Sequence, residues 1–263
     1  MASIYQALSE LEKNNTSAAL CTVVKSEGST PRHVGSKMLV YPDGKFIGTV
    51  GGGELESRVI QAALDSLTLG SAQNLSYTMA DPSRGDPGVC GGTVEVFVEP
   101  ILPPARVVVI GAGHVGKAVV HLAKWLGFLV AVSDDRTEFC NPEAVPGADA
   151  YYPVSMGELP EHLQINNRTY IVITSRGAGV DVEGLPGLLE SQPAYIGVIG
   201  SKRRWLTTVK GLKEKGVSEE KIASVHSPMG LELNAETPEE IAVSILAEVL
   251  MMRDRGTGKQ MNG

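Results

Sequence analysis

The run Gly111-Ala112-Gly113-His114-Val115-Gly116 constrains the fold more than any other part of the chain. It follows directly on the apolar stretch Arg106-Val107-Val108-Val109-Ile110 and opens a helical pattern from Val115 to Leu126. A G-x-G-x-x-G motif alone carries little information. Set between a strand and a helix, it is the fingerprint of a dinucleotide-binding Rossmann unit. Gly111 then serves the tight turn, and Gly113 lets the backbone approach a pyrophosphate held by amides that include His114. Gly116 lets helix and strand pack closely. The next strand, Leu129 to Val132, ends at Ser133-Asp134-Asp135-Arg136. That is about 20 residues on, where an acidic side chain holds a ribose hydroxyl. Asp134 and Asp135 speak for NAD and Arg136 for the 2′-phosphate of NADP, so the choice within NAD(P) stays open.

Apolar runs continue at Tyr170 to Thr174 and Tyr195 to Ile199, read as buried parallel strands. Helices are expected near Leu185 to Ser191 and from Lys202 to Lys215, and a final one opens at Thr237-Pro238-Glu239-Glu240, a capping-box pattern. Its apolar residues Ile241, Ile245, Leu246, Val249 and Leu250 suit either a core or an interface. Pro100, Pro103 and Pro104 mark the boundary with a differently textured first half. There a helix to Asn14, a strand from Ala18 to Val24 and a hairpin around Pro42-Asp43-Gly44 are expected. A helix from Glu54 to about Leu67 and a strand from Thr93 to Val98 follow. The expected fold is α/β: a C-terminal Rossmann-like parallel-sheet domain, residues 103–263, preceded by a smaller α+β domain, residues 1–102.

Three glycine-rich loops punctuate that first half. Gly28-Ser29-Thr30-Pro31-Arg32 offers hydroxyls, amides and a guanidinium. Gly51-Gly52-Gly53 stands between a strand and a helix, where amides favour an anion. Pro87-Gly88-Val89-Cys90-Gly91-Gly92 puts a thiol among residues without bulk. Together they suggest a pocket for a phosphate-bearing ligand that a sulfur can approach. Cys21 in an apolar strand and Cys140 in a turn read as small buried hydrophobes.

Composition narrows the partners. The net charge of −7 comes with no Lys/Arg block, which argues against nucleic acid. No run reaches the ~18–20 apolar residues of a membrane helix. Met1 to Leu11 lacks a signal-peptide pattern. Three widely spaced cysteines argue against a disulfide framework. A cytoplasmic protein is expected.

Read together, these stretches resemble the XdhC/CoxI family of accessory proteins for molybdenum hydroxylases such as xanthine dehydrogenase. The carriers are Gly28 to Arg32, Gly48 to Glu56, Cys90-Gly91-Gly92, Val109 to Gly116, Tyr195 to Arg204 and Thr237 to Glu248. The resemblance implies a non-catalytic maturation factor that binds molybdenum cofactor (molybdopterin), protects it during sulfuration by a cysteine desulfurase, and helps insert it into the apoenzyme. It also implies a homodimer. Ser29, Thr30, Arg32, Gly51, Gly52 and Gly53 then become cofactor-binding candidates, and Cys90 a ligand for the metal. Three positions depart from the family pattern: Glu54 where a cysteine often follows the triple glycine, Ser175-Arg176 where a histidine is common, and Asn234 where many relatives have glycine. The alternatives are an NAD(P)-dependent oxidoreductase, for which no Tyr-x-x-x-Lys pairing is present, and a nucleotide-sensing regulator.

Overall fold

The computed structural model describes residues 3–14, 16–79, 87 and 91–261. Cys90 lies outside them. The chain divides into two compact units, Met1–Pro103 and Pro104–Gly263.

The first unit contains α1 (Ile4–Asn14), β1 (Ala18–Glu27), β2 (Lys37–Val40), β3 (Phe46–Gly48), α2 (Gly53–Leu69), β4 (Gln73–Thr78) and β5 (Thr93–Ile101). The strands form one antiparallel sheet in the order β3-β2-β1-β5-β4. Successive strand residues point to opposite faces. Cys21, Val23, Met38, Val40, Val94, Val96 and Val98 therefore meet Leu55, Val59 and Ala63 of α2. Ala18 and Leu39 meet Ala7 and Leu11 of α1 on the other face.

Two features depart from the sequence reading. β1 runs past Val24 through a register shift to Glu27. β5 continues through Pro100, which pairs with Ala19 of β1. Proline is tolerated there because β4 accompanies β5 only as far as Val98, so the missing N–H has no strand to serve on that side.

The second unit runs β6 (Arg106–Ile110), α3 (His114–Trp125), β7 (Leu129–Ser133), β8 (Ala150–Tyr152), α4 (Leu159–His162), β9 (Thr169–Ile173), α5 (Ala178–Leu189), β10 (Tyr195–Val198), α6 (Lys202–Glu214), α7 (Glu219–Ala223), β11 (Val225–His226) and α8 (Pro238–Asp254). Its six strands are parallel, in the order β11-β10-β9-β6-β7-β8. This is the doubly wound order: the chain moves outward from β6 on one side, then returns to β9 on the other. The expected fold class holds.

Val107 and Val109 face α3 and α8 through Val119, Val120, Ala123, Ile245, Leu246 and Val249. Val108 and Ile110 face the α5 side through Leu185 and Leu188. The apolar stripe of α8 is thus core. Its capping box is formed: the Glu240 amide donates to Thr237 Oγ1 at 3.2 Å, and the Thr237 amide to Glu240 Oε2 at 3.0 Å.

α5 begins at Ala178 rather than Leu185 and contains Pro186. Gly184 and Gly187 lie against Met156 and Gly157, where a Cβ would press on them. Burial of Leu185, Leu188 and Leu189 holds a helix that local propensity opposes. Among the described residues, no helix is long and apolar enough to cross a membrane.

Candidate functional site

In the first unit, the glycine-rich loops meet at one end of the sheet. A Cβ on Gly28 would stand 3.2 Å from Gly92 Cα, and one on Gly92 would stand 2.7 Å from Thr30 Cγ2. A Cβ on Gly51 would stand 2.7 Å from Pro31 Cγ. The loop from Gly28 to Arg32 therefore lies between Gly51 on one side and Gly91 and Gly92 on the other, and glycine is what permits the approach. Thr30 Oγ1 bonds Ser26 Oγ at 2.7 Å and the Arg32 carbonyl at 3.1 Å, which fixes the loop. Ser29 and Arg32 are exposed.

Gly52 caps α2 without a side-chain hydrogen bond, and Cβ atoms on Gly52 or Gly53 would meet nothing. The triple-glycine turn is thus open at its surface. Glu54 and Glu56 in the first turn of α2 are engaged: Arg58 Nε lies 3.0 Å from Glu54, and Thr49 Oγ1 donates to Glu56 at 2.6 Å. Glu54 is an exposed member of an i,i+4 ion pair. Cys21 is fully buried, and burial pushes its thiol up to about 12. Cys140 is also buried and donates to the Val132 carbonyl at 3.5 Å. Neither is poised as a thiolate.

In the second unit, a cleft of about 660 Å³ opens at the carboxyl ends of β6, β7 and β9. Gly111 and Gly113 form its floor beside Asp134, Asp135 and Arg136, with Ser155 and Met156 on one flank and Thr174, Ser175 and Arg176 on another. Ligands bind doubly wound sheets at this end, at the point where strand order reverses.

The three fingerprint glycines answer to different neighbours. A Cβ on Gly111 (φ 104°) would stand 2.7 Å from the Thr174 carbonyl. One on Gly116 would run into the Gly111 carbonyl. One on Gly113 would meet nothing, so the surface above it is bare backbone. Thr174 Oγ1 donates to the Gly111 carbonyl at 2.6 Å and ties the loop to β9. His114 does not line the cleft. It faces a groove of about 470 Å³ with Lys117, His121 and Glu239.

Asp134 is engaged by its own protein. It is 5% exposed. Its Oδ2 accepts from the Ala112 amide at 2.8 Å and Arg136 Nη2 at 2.9 Å; its Oδ1 accepts from the Arg136 amide at 3.0 Å and Arg136 Nε at 2.9 Å. Burial pushes its carboxyl up, but those bonds and the Arg136 charge outweigh it and hold the group below the ordinary value. Asp135 forms a two-point pair with Arg176, at 3.0 and 2.8 Å.

Sequence reading missed the cluster behind this wall. Asp181, fully buried, takes a hydrogen bond from Ser175 Oγ and two from Arg204, Nε at 3.2 Å and Nη2 at 2.7 Å. Arg204 Nη2 also donates to Ser175 Oγ at 2.7 Å. Ser175 thus stands between Asp181 of α5 and Arg204 of α6. Asn234 has φ 52°, a conformation that suits glycine and, next best, asparagine. Among the described residues, no three His, Cys, Asp or Glu side chains come together to hold a metal ion.

Comparison with known proteins places these units. Residues 107–249 match the family described as the XdhC Rossmann domain, and residues 11–78 match the XdhC and CoxI family. The chain is 38% identical over 260 residues to the uncharacterized protein YqeB of Escherichia coli, covering 98% of this chain but 48% of that protein. The chain thus spans about half the length of that relative. It is 24% identical to a probable xanthine dehydrogenase subunit of Bacillus subtilis, covering 97% and 99% of the two chains. It is also 24% identical to the molybdenum cofactor insertion chaperone PaoD of E. coli, covering 90% and 83%. The crystal structure of a xanthine dehydrogenase from Bacillus halodurans shares the fold, with a TM-score of 0.51 and 23% identity over 100% of this chain and 98% of that one.

Proposed function

The chain belongs to the XdhC and CoxI family, and on that premise we propose that it is a maturation factor carrying molybdenum cofactor to a xanthine dehydrogenase-type molybdenum hydroxylase. It shields the cofactor while a cysteine desulfurase sulfurates it, and has no turnover of its own. The similarity to an insertion chaperone over 90% of this chain supports the reading. The observation that carries it is the meeting of the glycine-rich loops in the first unit.

Molybdopterin brings a phosphate, which exposed amides at Gly51 to Gly53 and the polar groups of Ser29, Thr30 and Arg32 suit. Its metal is soft enough to take a thiolate, the role given to Cys90. The protein works in the cytoplasm as a homodimer. The second unit holds NAD(P) over Gly111 to Gly116.

The test is molybdenum retained per protein after gel filtration, with mass spectrometry of released ligand. Wild type should release a pterin, and Cys90→Ser should retain much less molybdenum at an unchanged melting temperature. Equal retention would remove the thiol. A nicotinamide with no pterin would favour the second reading, an NAD(P)-dependent oxidoreductase or nucleotide-sensing regulator, for which the cleft at the ends of β6, β7 and β9 speaks.

A further inference from the structure

In sheets of this strand order, the residue after the second strand meets the adenine ribose. A carboxylate there marks an unphosphorylated ribose, and an arginine nearby accommodates a 2′-phosphate. Sequence alone leaves the matter open, because Asp134, Asp135 and Arg136 are adjacent. The geometry separates them.

Asp134 has both oxygens filled by Ala112 and Arg136, and it is buried. A ribose diol arriving there finds no open acceptor. Arg136 is held the opposite way. Its Nε and Nη2 are fixed on Asp134, and its guanidinium carbon lies 4.0 Å from the centre of the Phe139 ring. One edge and one face are thereby occupied, and the side chain, still 36% exposed, lines the cleft. A planar cation so fixed presents its remaining face to a purine and its remaining N–H groups to a phosphate.

Across the cleft, Arg176 is 51% exposed and paired with an equally accessible carboxylate, Asp135, at 44%. An ion pair this exposed holds its partners weakly, and a dianion competes well for the arginine. The two carboxylates and two guanidinium groups cancel, so the acidic residues that argue against a phosphate in the sequence no longer do so in the fold.

We infer that the cleft prefers a dinucleotide bearing a phosphate on the adenosine 2′ position, as in NADP(H), over NAD(H). Arg136 is the platform for the adenosine and its phosphate, and Arg176 is a second cation released from Asp135. This rests on the reading that the Gly111-to-Gly116 loop binds a dinucleotide; Gly113, whose Cβ would meet open space, fits that reading.

The experiment is calorimetric titration of the full chain with NADP⁺ and NAD⁺, in low and in moderate salt. NADP⁺ should bind at least about tenfold more tightly, with an advantage that shrinks as salt screens the phosphate. Asp135→Asn, at an exposed position, should increase the NADP⁺ advantage by freeing Arg176. Arg136→Gln should bring the two dinucleotides within about threefold of each other. That variant leaves Asp134 short of its partner, so a thermal melt accompanies it; if it does not fold, the wild-type ratio and Asp135→Asn decide. Equal binding, or tighter NAD⁺, overturns the preference and leaves the dinucleotide reading standing. Failure of both ligands to bind at millimolar concentration overturns the two together.

Discussion

Gly111, Gly113 and Gly116 carry the same residue for different reasons, and substitution separates them. Gly116→Ala drives a methyl into the Gly111 carbonyl, and Gly111→Ala meets Thr174 with φ at 104°. Each should lower stability by about 1–3 kcal/mol, read as a shift in the denaturation midpoint. The Cβ of Gly113→Val has no protein atom within 4 Å. The variant should melt within a degree or two of wild type yet lose NADP⁺ binding by calorimetry, since the methyls occupy the space a pyrophosphate needs. A large loss of stability in Gly113→Val would show that the protein, not a ligand, requires that glycine. Cys21→Ser belongs to the first kind: a hydroxyl in the sealed strand position should cost about 1–3 kcal/mol.

At the scale of elements, α8 couples the sheet edge to the core. Its Glu248, 8% exposed, accepts from Tyr195 Oη at 2.7 Å and from the Gly230 amide, and bonds His226 Nδ1 at 2.8 Å. Burial pushes the Glu248 carboxyl up, but His226, Gly230 and Tyr195 outweigh it and hold it below the ordinary 4.5. A carboxyl lowered by folding adds stability above its unfolded pKa and loses it as pH falls through the folded value. Stability should therefore hold from neutral pH to about 4.5 and fall below it. Glu248→Gln should be less stable at pH 7 and show a shallower acid decline in urea midpoints; parallel profiles for the two proteins would refute this.

The parts of the fold legible in the sequence were those with strong periodicity or a cap: β6 with its loop, the strands around it, and α8 with its Thr237–Glu240 box. α5 was legible only in its last turns, because Gly184, Pro186 and Gly187 read as breakers until Met156 and Gly157 are seen to need small neighbours. The glycine loops were legible one by one, but their meeting depends on the pairing of β1 with β5, which spacing does not encode. Asp134 was legible as an acidic residue at the right place, whereas its inward orientation comes from contacts with Ala112 and Arg136.

At the scale of the whole molecule, each unit has its own core: α1 and α2 flank one sheet, while α3 and α8 lie opposite α5 on the other. A fragment of residues 104–263 should fold alone and keep the dinucleotide affinity of the full chain, checked by circular dichroism and titration. An unfolded fragment would mean that the first unit supplies part of its stability. Sedimentation equilibrium of the full chain at micromolar concentration should give twice the chain mass of 27.8 kDa. A monomer would remove the homodimer from the proposal.

The two sealed thiols give the protein a chemical clock. Cys21 sits in the core of the first unit and Cys140 in that of the second, both shielded from solvent. A maleimide added to the folded protein should therefore leave both unlabelled before any unfolding. Each of these two thiols reacts only as its own core opens, and peptide mapping of their order would report which unit opens first without a single substitution.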